Sequence, residues 1–456
     1  MKRSLDFVTE ENVSMLLDLY ELTMCASYYE HKRFEPASFD LFIRKLPPNR
    51  SYLLFAGLEQ ALLFIEKMHF REEHIEFLKK YGFKDDFLDY LRNFRFTGDV
   101  WAIPEGTVVF PNEPLIRVTA PIIEAQLLET FLLNTINFQT TIASKAARVV
   151  TAAKGRPVIE FGLRREHGVD AGIKAARASY IAGCIGTSNV LAGMLYGIPI
   201  FGTMAHSFIM FFSDELEAFR AFSHTFPDRS TLLIDTFDVI KGAKNAILVA
   251  KELEARGFKL RGVRIDSGDL VALSKAVRKM LRENGLDYVQ ILASGDLDEY
   301  KIEELLEKGA EIDVFGVGTK LGTSADRPYV DIIYKLCERM TSDGKFKPVM
   351  KLSEGKATLP GRKQVFRVKD ANGYFVKDII ALEDEEIDGE PLLVKVVDRG
   401  KIIYNFPSLE KIRERALDNL SRLHEKYKRL KNPAKYPVKL SPNLSKLINE
   451  LEQKLR

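Results

Sequence analysis

PVIEF (157–161), GIPIFG (197–202), TLLID (231–235), LRGVRID (260–266), YVQILAS (288–294) and IDVFGVG (312–318) follow one another down the middle of the chain. Each is short, apolar and of strand length. Amphipathic helical patterns separate them, most clearly at 238–256, 269–284 and 298–307. Strands alternating with helices imply a parallel sheet with helical crossovers, the α/β class. Polar residues sit where the apolar runs stop: Asp235, Asp266, Ser294 and the stretch Gly316 to Thr319. In α/β barrels the active site is built at the C-terminal ends of the strands. A barrel-like architecture is therefore expected in preference to an open sheet.

The flanks read differently. Residues 11–31, 57–67, 72–81 and 84–93 carry helical periodicity, and ASFDLFIR (37–44) alternates as a strand does. Residues 98–118 read as β structure, with turn signals at Pro104-Glu105-Gly106 and Pro111-Asn112. One long helix is expected from about Pro121 to Ala153, with proline at its start. Residues 325–400 are again β-rich and are expected to join 37–118 in a second, discontinuous α+β domain. The predicted organisation is an N-terminal α+β domain over 1–118, completed by about 365–405. A barrel-like catalytic domain over 119–364 and a basic helical C-terminal tail over 406–456 follow. From 401 to 456 there are 14 Lys/Arg against 6 Asp/Glu, a net of +8, which reads as a solvated basic tail.

Composition excludes several classes. The net charge of +3 over 456 residues argues against nucleic acid as a partner. Three cysteines, far apart, support neither a disulfide framework nor a cysteine-built zinc site. No apolar run is long enough to span a membrane, and MKRSLDFVTEEN does not read as a signal peptide. A cytoplasmic protein with no membrane partner is the expectation.

Residues 160–214 read EFGLRREHGVDAGIKAARASYIAGCIGTSNVLAGMLYGIPIFGTMAHSFIMFFSD, and small residues are dense here. Gly, Ala, Ser and Thr let backbone approach a ligand and supply N–H and hydroxyl donors. His206 follows GIPIFG, as if a strand delivered a titratable group to a pocket. Together with DLYELTM (18–24), DSGD (266–269), ASGDLDE (293–299), FGVGT (315–319) and PGRKQV (360–365), the strings EFGLRR, GTSNVLAG and GTMAHS resemble those of the nicotinate phosphoribosyltransferases, in order and spacing. The resemblance covers roughly residues 15 to 370. It implies an irregular α/β barrel that joins nicotinate to phosphoribosyl pyrophosphate, releasing pyrophosphate, in NAD salvage. ATP is the implied co-substrate and Mg²⁺ the implied cofactor.

Residue chemistry and resemblance assign the site together. A histidine can be nucleophile, base or ligand, and His206 has no second histidine or cysteine nearby in sequence to build a metal site. The resemblance implies that His206 is phosphorylated by ATP. Asp266 and Asp269 can bind ribose hydroxyls or Mg²⁺, or offset charge on a ribosyl carbon. Asp269 also reads as a helix N-cap. Arg264 points to the same strand face as Asp266, and the resemblance puts both at the pyridine ring. Asp235 is assigned to the substrate. Ser294, Gly295 and Asp296, and Gly316, Gly318 and Thr319, form two turns suited to phosphate. The resemblance gives them the ribose 5′-phosphate. It also implies that Phe161 and Tyr20 sandwich the ring, with Tyr20 and Arg44 arriving from the partner subunit of a homodimer. Arg164, Arg165, Lys351, Arg362 and Lys363 are candidates for pyrophosphate or ATP. Glu166 departs from the family, which often carries Ala there, and it puts Arg165 in question. Ser188, third in GTSN, is the candidate selector of nicotinate. Nicotinamide and quinolinate phosphoribosyltransferases are the rival enzyme readings. A nucleotide- or RNA-binding homologue without activity is the rival of another class.

Overall fold

The computed structural model describes residues 8–353, 355 and 357–455. It divides into two compact units, residues 142–328 and residues 1–141 with 329–456. The boundaries therefore fall within helix Glu129–Ala152 and after Pro328, not at 118/119 and 364/365 as the sequence suggested.

Residues 142–328 form the barrel. Its sheet has six parallel strands: Val158–Glu160, Gly186–Thr187, Thr231–Leu233, Gly262–Ile265, Gln290–Ala293 and Val314–Val317. Helices Val169–Ile181, Val239–Ala255, Leu270–Glu283 and Glu299–Glu307 lie between strands in sequence, as right-handed crossovers require. The last strand pairs with the first, Phe315 beside Val158 and Val317 beside Glu160. That pairing rolls the sheet towards closure, which an open doubly wound sheet never does. Gly186–Thr187 adjoins the first strand, and a single parallel bridge from Thr187 to Ile200 continues the curve. Among the described residues no strand pairing carries the sheet on from Ile200 to Thr231–Leu233. The barrel is thus open along one seam. GIPIFG does not make the strand expected of it; only Ile200 reaches the sheet, because the glycines and proline around it interrupt a ladder.

The other unit is built on a seven-stranded antiparallel sheet. Strand Pro36–Ile43 lies at its heart between Pro114–Pro121 and Ile332–Met340. Strand Asp99–Ala102 pairs with Val394–Asp398, so both ends of the chain supply this sheet. Helices Leu58–Lys67, Glu72–Lys79 and Asp85–Arg92 bury Leu62, Ile65, Ile75, Leu78 and Leu91 in the shared apolar core. Two expectations need correction. Helix 11–31 begins only at Leu19, after a 3₁₀ turn at Val13–Met15. The long helix from Pro121 is two: Pro121 ends a strand, Ile122–Gln126 is a short helix, and Glu129–Ala152 follows.

The basic C-terminal segment is not a solvated tail. Strand Val438–Leu440 pairs with Phe375–Leu382, and helix Leu409–Arg422 buries Ile412, Ala416 and Leu420. Tyr436 stacks on Phe110 at 3.7 Å between ring centroids, and its hydroxyl donates to Asp378 at 3.0 Å. Positive charges line the outer face of helices whose apolar stripe is consumed by this unit. No described helix is long and apolar enough to cross a membrane.

Candidate active site at the open barrel seam

Polar strand ends converge as barrel geometry requires. A cavity of about 420 Å³ lies at the C-terminal ends of the parallel strands, and its lining comes from residues 161–320 alone. Phe161, Arg164, Arg165, Ser188, His206, Arg264, Asp266, Ser294, Gly295, Asp296, Gly316, Gly318 and Thr319 all face it. The sequence named every one of these. Arg164 and Arg165 are exposed, in the 3₁₀ turn Leu163–Arg165, and have no ion-pair partner among the described residues.

Arg264 bridges the seam. From strand Gly262–Ile265 its Nη1 donates to Thr203 Oγ1 at 2.5 Å and its Nη2 to the Met204 carbonyl at 3.1 Å. Burial, partly offset by Asp266 and Asp235, lowers its pKa, and its Nε has no protein partner although buried. The guanidinium thus ties the irregular segment 202–205 to the sheet. That segment leads into His206, the first residue of helix His206–Phe211. His206 Nδ1 lies 3.1 Å from Thr236 Oγ1, which leaves Nε2 for the cavity.

The turns after the strands brace one another. Asp235 accepts from the Asp266 backbone N–H at 3.0 Å and from Ser267 Oγ at 2.6 Å. Asp266 in turn accepts from the Ser294 hydroxyl. Gly295 has φ of +86°, and a Cβ there would stand 2.0 Å from the Asp266 carbonyl oxygen, so only glycine closes this turn. Gly316 answers a different need. A Cβ on it would come within 2.6 Å of two Phe161 ring carbons, so the ring takes the space that a side chain at 316 would fill.

Several assignments change. Asp235 does not line the cavity; it holds the turn that presents Asp266. Asp269 caps helix Leu270–Glu283 by accepting from Val271 and Ala272, and it faces a neighbouring cavity instead. Asn189 caps helix Val190–Tyr196, at 3.1 Å from the Ala192 N–H, and Ser188 beside it keeps its place in the lining of the cavity. Lys363 is buried in the other unit against Asp40 at 2.7 Å, and Arg362 pairs with Glu338 at 2.8 Å and Glu383 at 3.0 Å. Both already have carboxylate partners, and neither lines the cavity. Arg44, Tyr20 and Lys351 also belong to that unit, Arg44 with Asp331 at 3.8 Å, Tyr20 half exposed and Lys351 exposed. Burial and the nearby Glu129 raise the pKa of the Tyr20 hydroxyl. Glu166 does not pair with Arg164 or Arg165; its carboxyl turns inward to Glu160.

Sequence reasoning missed Thr203, the Met204 carbonyl, Thr236 and Lys320. The first two lie inside GTMAHS, which was read for its histidine alone. Thr236 directly follows the strand-end Asp235, and that position was its only signal.

An α/β barrel with cations, a histidine and glycine turns around a strand-end cavity is built to act on a phosphorylated small molecule. Comparison with known proteins narrows this. Family models for nicotinate phosphoribosyltransferase match at residues 15–137 (the N-terminal domain), 157–370 (the family proper) and 387–448 (the C-terminal domain). The chain belongs to the nicotinate phosphoribosyltransferase family. It is 47% identical over 434 residues to nicotinate phosphoribosyltransferase pncB2 of Mycobacterium tuberculosis, covering 94% of this chain and 92% of that one. It is 40% identical to the nicotinate phosphoribosyltransferase of Bacillus subtilis, covering 95% and 94%. The crystal structure of human nicotinic acid phosphoribosyltransferase superimposes with a TM-score of 0.85 at 31% identity, covering 95% of this chain and 99% of that chain.

Proposed function

We propose that this chain joins nicotinate to phosphoribosyl pyrophosphate, giving nicotinate mononucleotide and pyrophosphate, and that it couples this to ATP hydrolysis through phospho-His206. The observation that carries the reading is one cavity holding an aromatic face, a serine, two unpaired arginines and a histidine. The pyridine nitrogen attacks C1′ of the ribose while the C1′–O bond to pyrophosphate breaks. A pyridine lone pair needs no base, so catalysis is positioning and charge stabilisation. Asp266 offsets positive charge developing at C1′. Arg164 and Arg165 take the departing pyrophosphate, and the turns at Ser294–Asp296 and Gly316–Thr319 take the 5′-phosphate. Phe161 stacks on the pyridine ring.

His206 Nε2 receives the γ-phosphoryl of ATP, releasing ADP, and water later cleaves the P–N bond. The described residues contain no cluster of three or more metal-ligating side chains. Mg²⁺ would be held largely by substrate phosphates and water, with Asp266 and Asp296 the carboxylates that line the cavity. The ion would neutralise phosphate charge. Helices Val190–Tyr196 and His206–Phe211 leave Met194, Leu195, Met210 and Phe211 exposed, Phe211 by 89%. Apolar exposure on this scale favours a homodimer, in which Tyr20 and Arg44 of the second copy complete the site. Three free cysteines, all buried, agree with a reducing cytoplasm, where the product would enter NAD salvage.

The test combines two measurements. Turnover is compared with nicotinate, nicotinamide and quinolinate in parallel, and intact mass is read after incubation with ATP and Mg²⁺. Nicotinate should be used best and one acid-labile phosphate should map to His206. Its incorporation at wild-type level into His206→Ala would remove the mechanism.

A further inference from the structure

Glu166 directly follows the two cavity arginines, and the structure gives it an unusual place. Both of its carboxyl oxygens are buried, and neither receives a hydrogen bond from an N–H or hydroxyl of the protein. Three glycines make the space. A Cβ on Gly162, Gly172 or Gly322 would stand 2.5, 2.7 or 2.0 Å from a Glu166 oxygen. The same position on Gly162 lies 2.8 Å from Glu160 Oε1, so the two carboxyls flank one glycine. Glu160 is fully buried and accepts from the Gly162 N–H and, at 2.6 Å, from Thr187 Oγ1. Two carboxylates cannot share such a space without a proton between them.

Among the described residues no cation acts on either carboxyl. Arg164 and Arg165 point outward from their turn. On helix Val169–Ile181, Lys174 is held by Asp170 at 2.7 Å. On helix Thr319–Gly322, Lys320 pairs with Asp298 at 3.3 Å. Thr187 is the polar neighbour from the adjacent strand. Burial first, then the Glu160 charge, pushes the Glu166 carboxyl up to about 9, so Glu166 carries the proton at neutral pH.

We infer that Glu166 is a positioning residue: its protonated carboxyl donates to the Glu160 carboxylate, and this clamp fixes the turn that aims Arg164 and Arg165 into the anion cavity. Glu160 anchors the clamp because it closes strand Val158–Glu160 and grips Thr187 of the next strand. When Glu166 ionises, like charges one glycine apart repel, and the turn leaves its place. The inference rests on the cavity being a pyrophosphate site, as proposed above.

Inorganic pyrophosphate binding to the full chain, measured by calorimetry from about pH 7 to about pH 10, tests it. Glu166→Gln keeps a donor to Glu160 and cannot ionise, and it controls for titration of the ligand. The ratio of wild-type to Glu166→Gln affinity should be close to one at pH 7. It should fall by roughly five-fold or more as pH passes about 9. Glu166→Ala should bind roughly ten-fold more weakly at pH 7. Stability follows the linked sign. The folded protein holds this proton to a higher pH than the unfolded chain does. Its contribution is therefore full below the ordinary carboxylate range, declines as pH rises towards about 9, and declines no further above it. Glu166→Gln should lack that decline. An affinity ratio constant from pH 7 to 10 would overturn the clamp. A falling ratio in a protein that turns over no pyridine substrate would uphold it and sink the functional reading instead.

Discussion

Replacing Arg264 by lysine separates the seam from the substrate. The guanidinium spans two acceptors on segment 202–205, Thr203 Oγ1 at 2.5 Å and Met204 O at 3.1 Å. An ammonium is a point donor and keeps at most one of them. A hydrogen bond to a charged group contributes about 1.5–3 kcal/mol. If its loss is felt fully where His206 must meet ATP, the rate falls roughly 10- to 150-fold. Phosphorylation of His206 needs no pyridine, so the assay is acid-labile phosphate incorporation from ATP with nicotinate absent. Arg264→Lys should slow it within that range, and Arg264→Met, which loses both bonds, should slow it further and lower Tm. A folded Arg264→Lys protein that labels at the wild-type rate would refute the seam argument. Its loss of nicotinate turnover would then have to come from the ring side of the cavity.

Ser188→Asp should lower nicotinate kcat/KM by a factor on the order of 100 or more, while nicotinamide use holds or rises. Two like charges ~4 Å apart cost roughly 4 kcal/mol at an effective dielectric near 20. Unchanged nicotinate kinetics would show that Ser188 does not read the substrate. Gly316→Ala puts a methyl carbon 2.6 Å from two Phe161 ring carbons, so the ring must tilt. Overpacking of this kind costs about 1–3 kcal/mol, and KM for nicotinate should rise more than kcat falls; a kinetically silent variant would place the ring elsewhere. Tyr20→Ala and His206→Ala should each be nearly inactive, and mixing them under subunit exchange should restore part of the activity. No recovery, with exchange demonstrated by mass, would argue against a shared site.

The barrel was legible because five of its six strands lie in apolar runs that stop at a polar residue, as in TLLID and GVRID; Gly186–Thr187 lies in the polar GTSN string instead and was not foreseen. Periodicity and termination are local, so sequence carries them. The cavity was legible for the same reason: strand ends in a barrel converge, and Asp266, Ser294 and Thr319 needed no further information. What failed was everything decided by partners distant in sequence. Lys363 looked like a phosphate ligand until Asp40 was found beside it. Asp269 was open to two readings, and the helix cap won. The C-terminal segment looked solvated because its charges are counted easily. Its packing partners lie far back in the chain: Gly106 lies against Ile412 and Ala416, Phe110 stacks on Tyr436, and strand Phe375–Leu382 pairs with Val438–Leu440. Glu166 was weighed against the arginines next to it, whereas its partner is Glu160, around a corner made of glycines.

The pairing of Phe315 with Val158 also governs how the molecule comes into being. The strand that pairs with the first is the last of the six to leave the ribosome, and it carries Gly316, against which the ring of Phe161 lies. Until then Val158–Glu160 has one bare edge, and no binding cavity exists for a ligand to stabilise. Contacts so remote along the chain form slowly and leave strand edges open to wrong partners. A nascent chain stopped short of Val314 should therefore be a chaperone client, and ligand should begin to protect the protein only once that strand has docked.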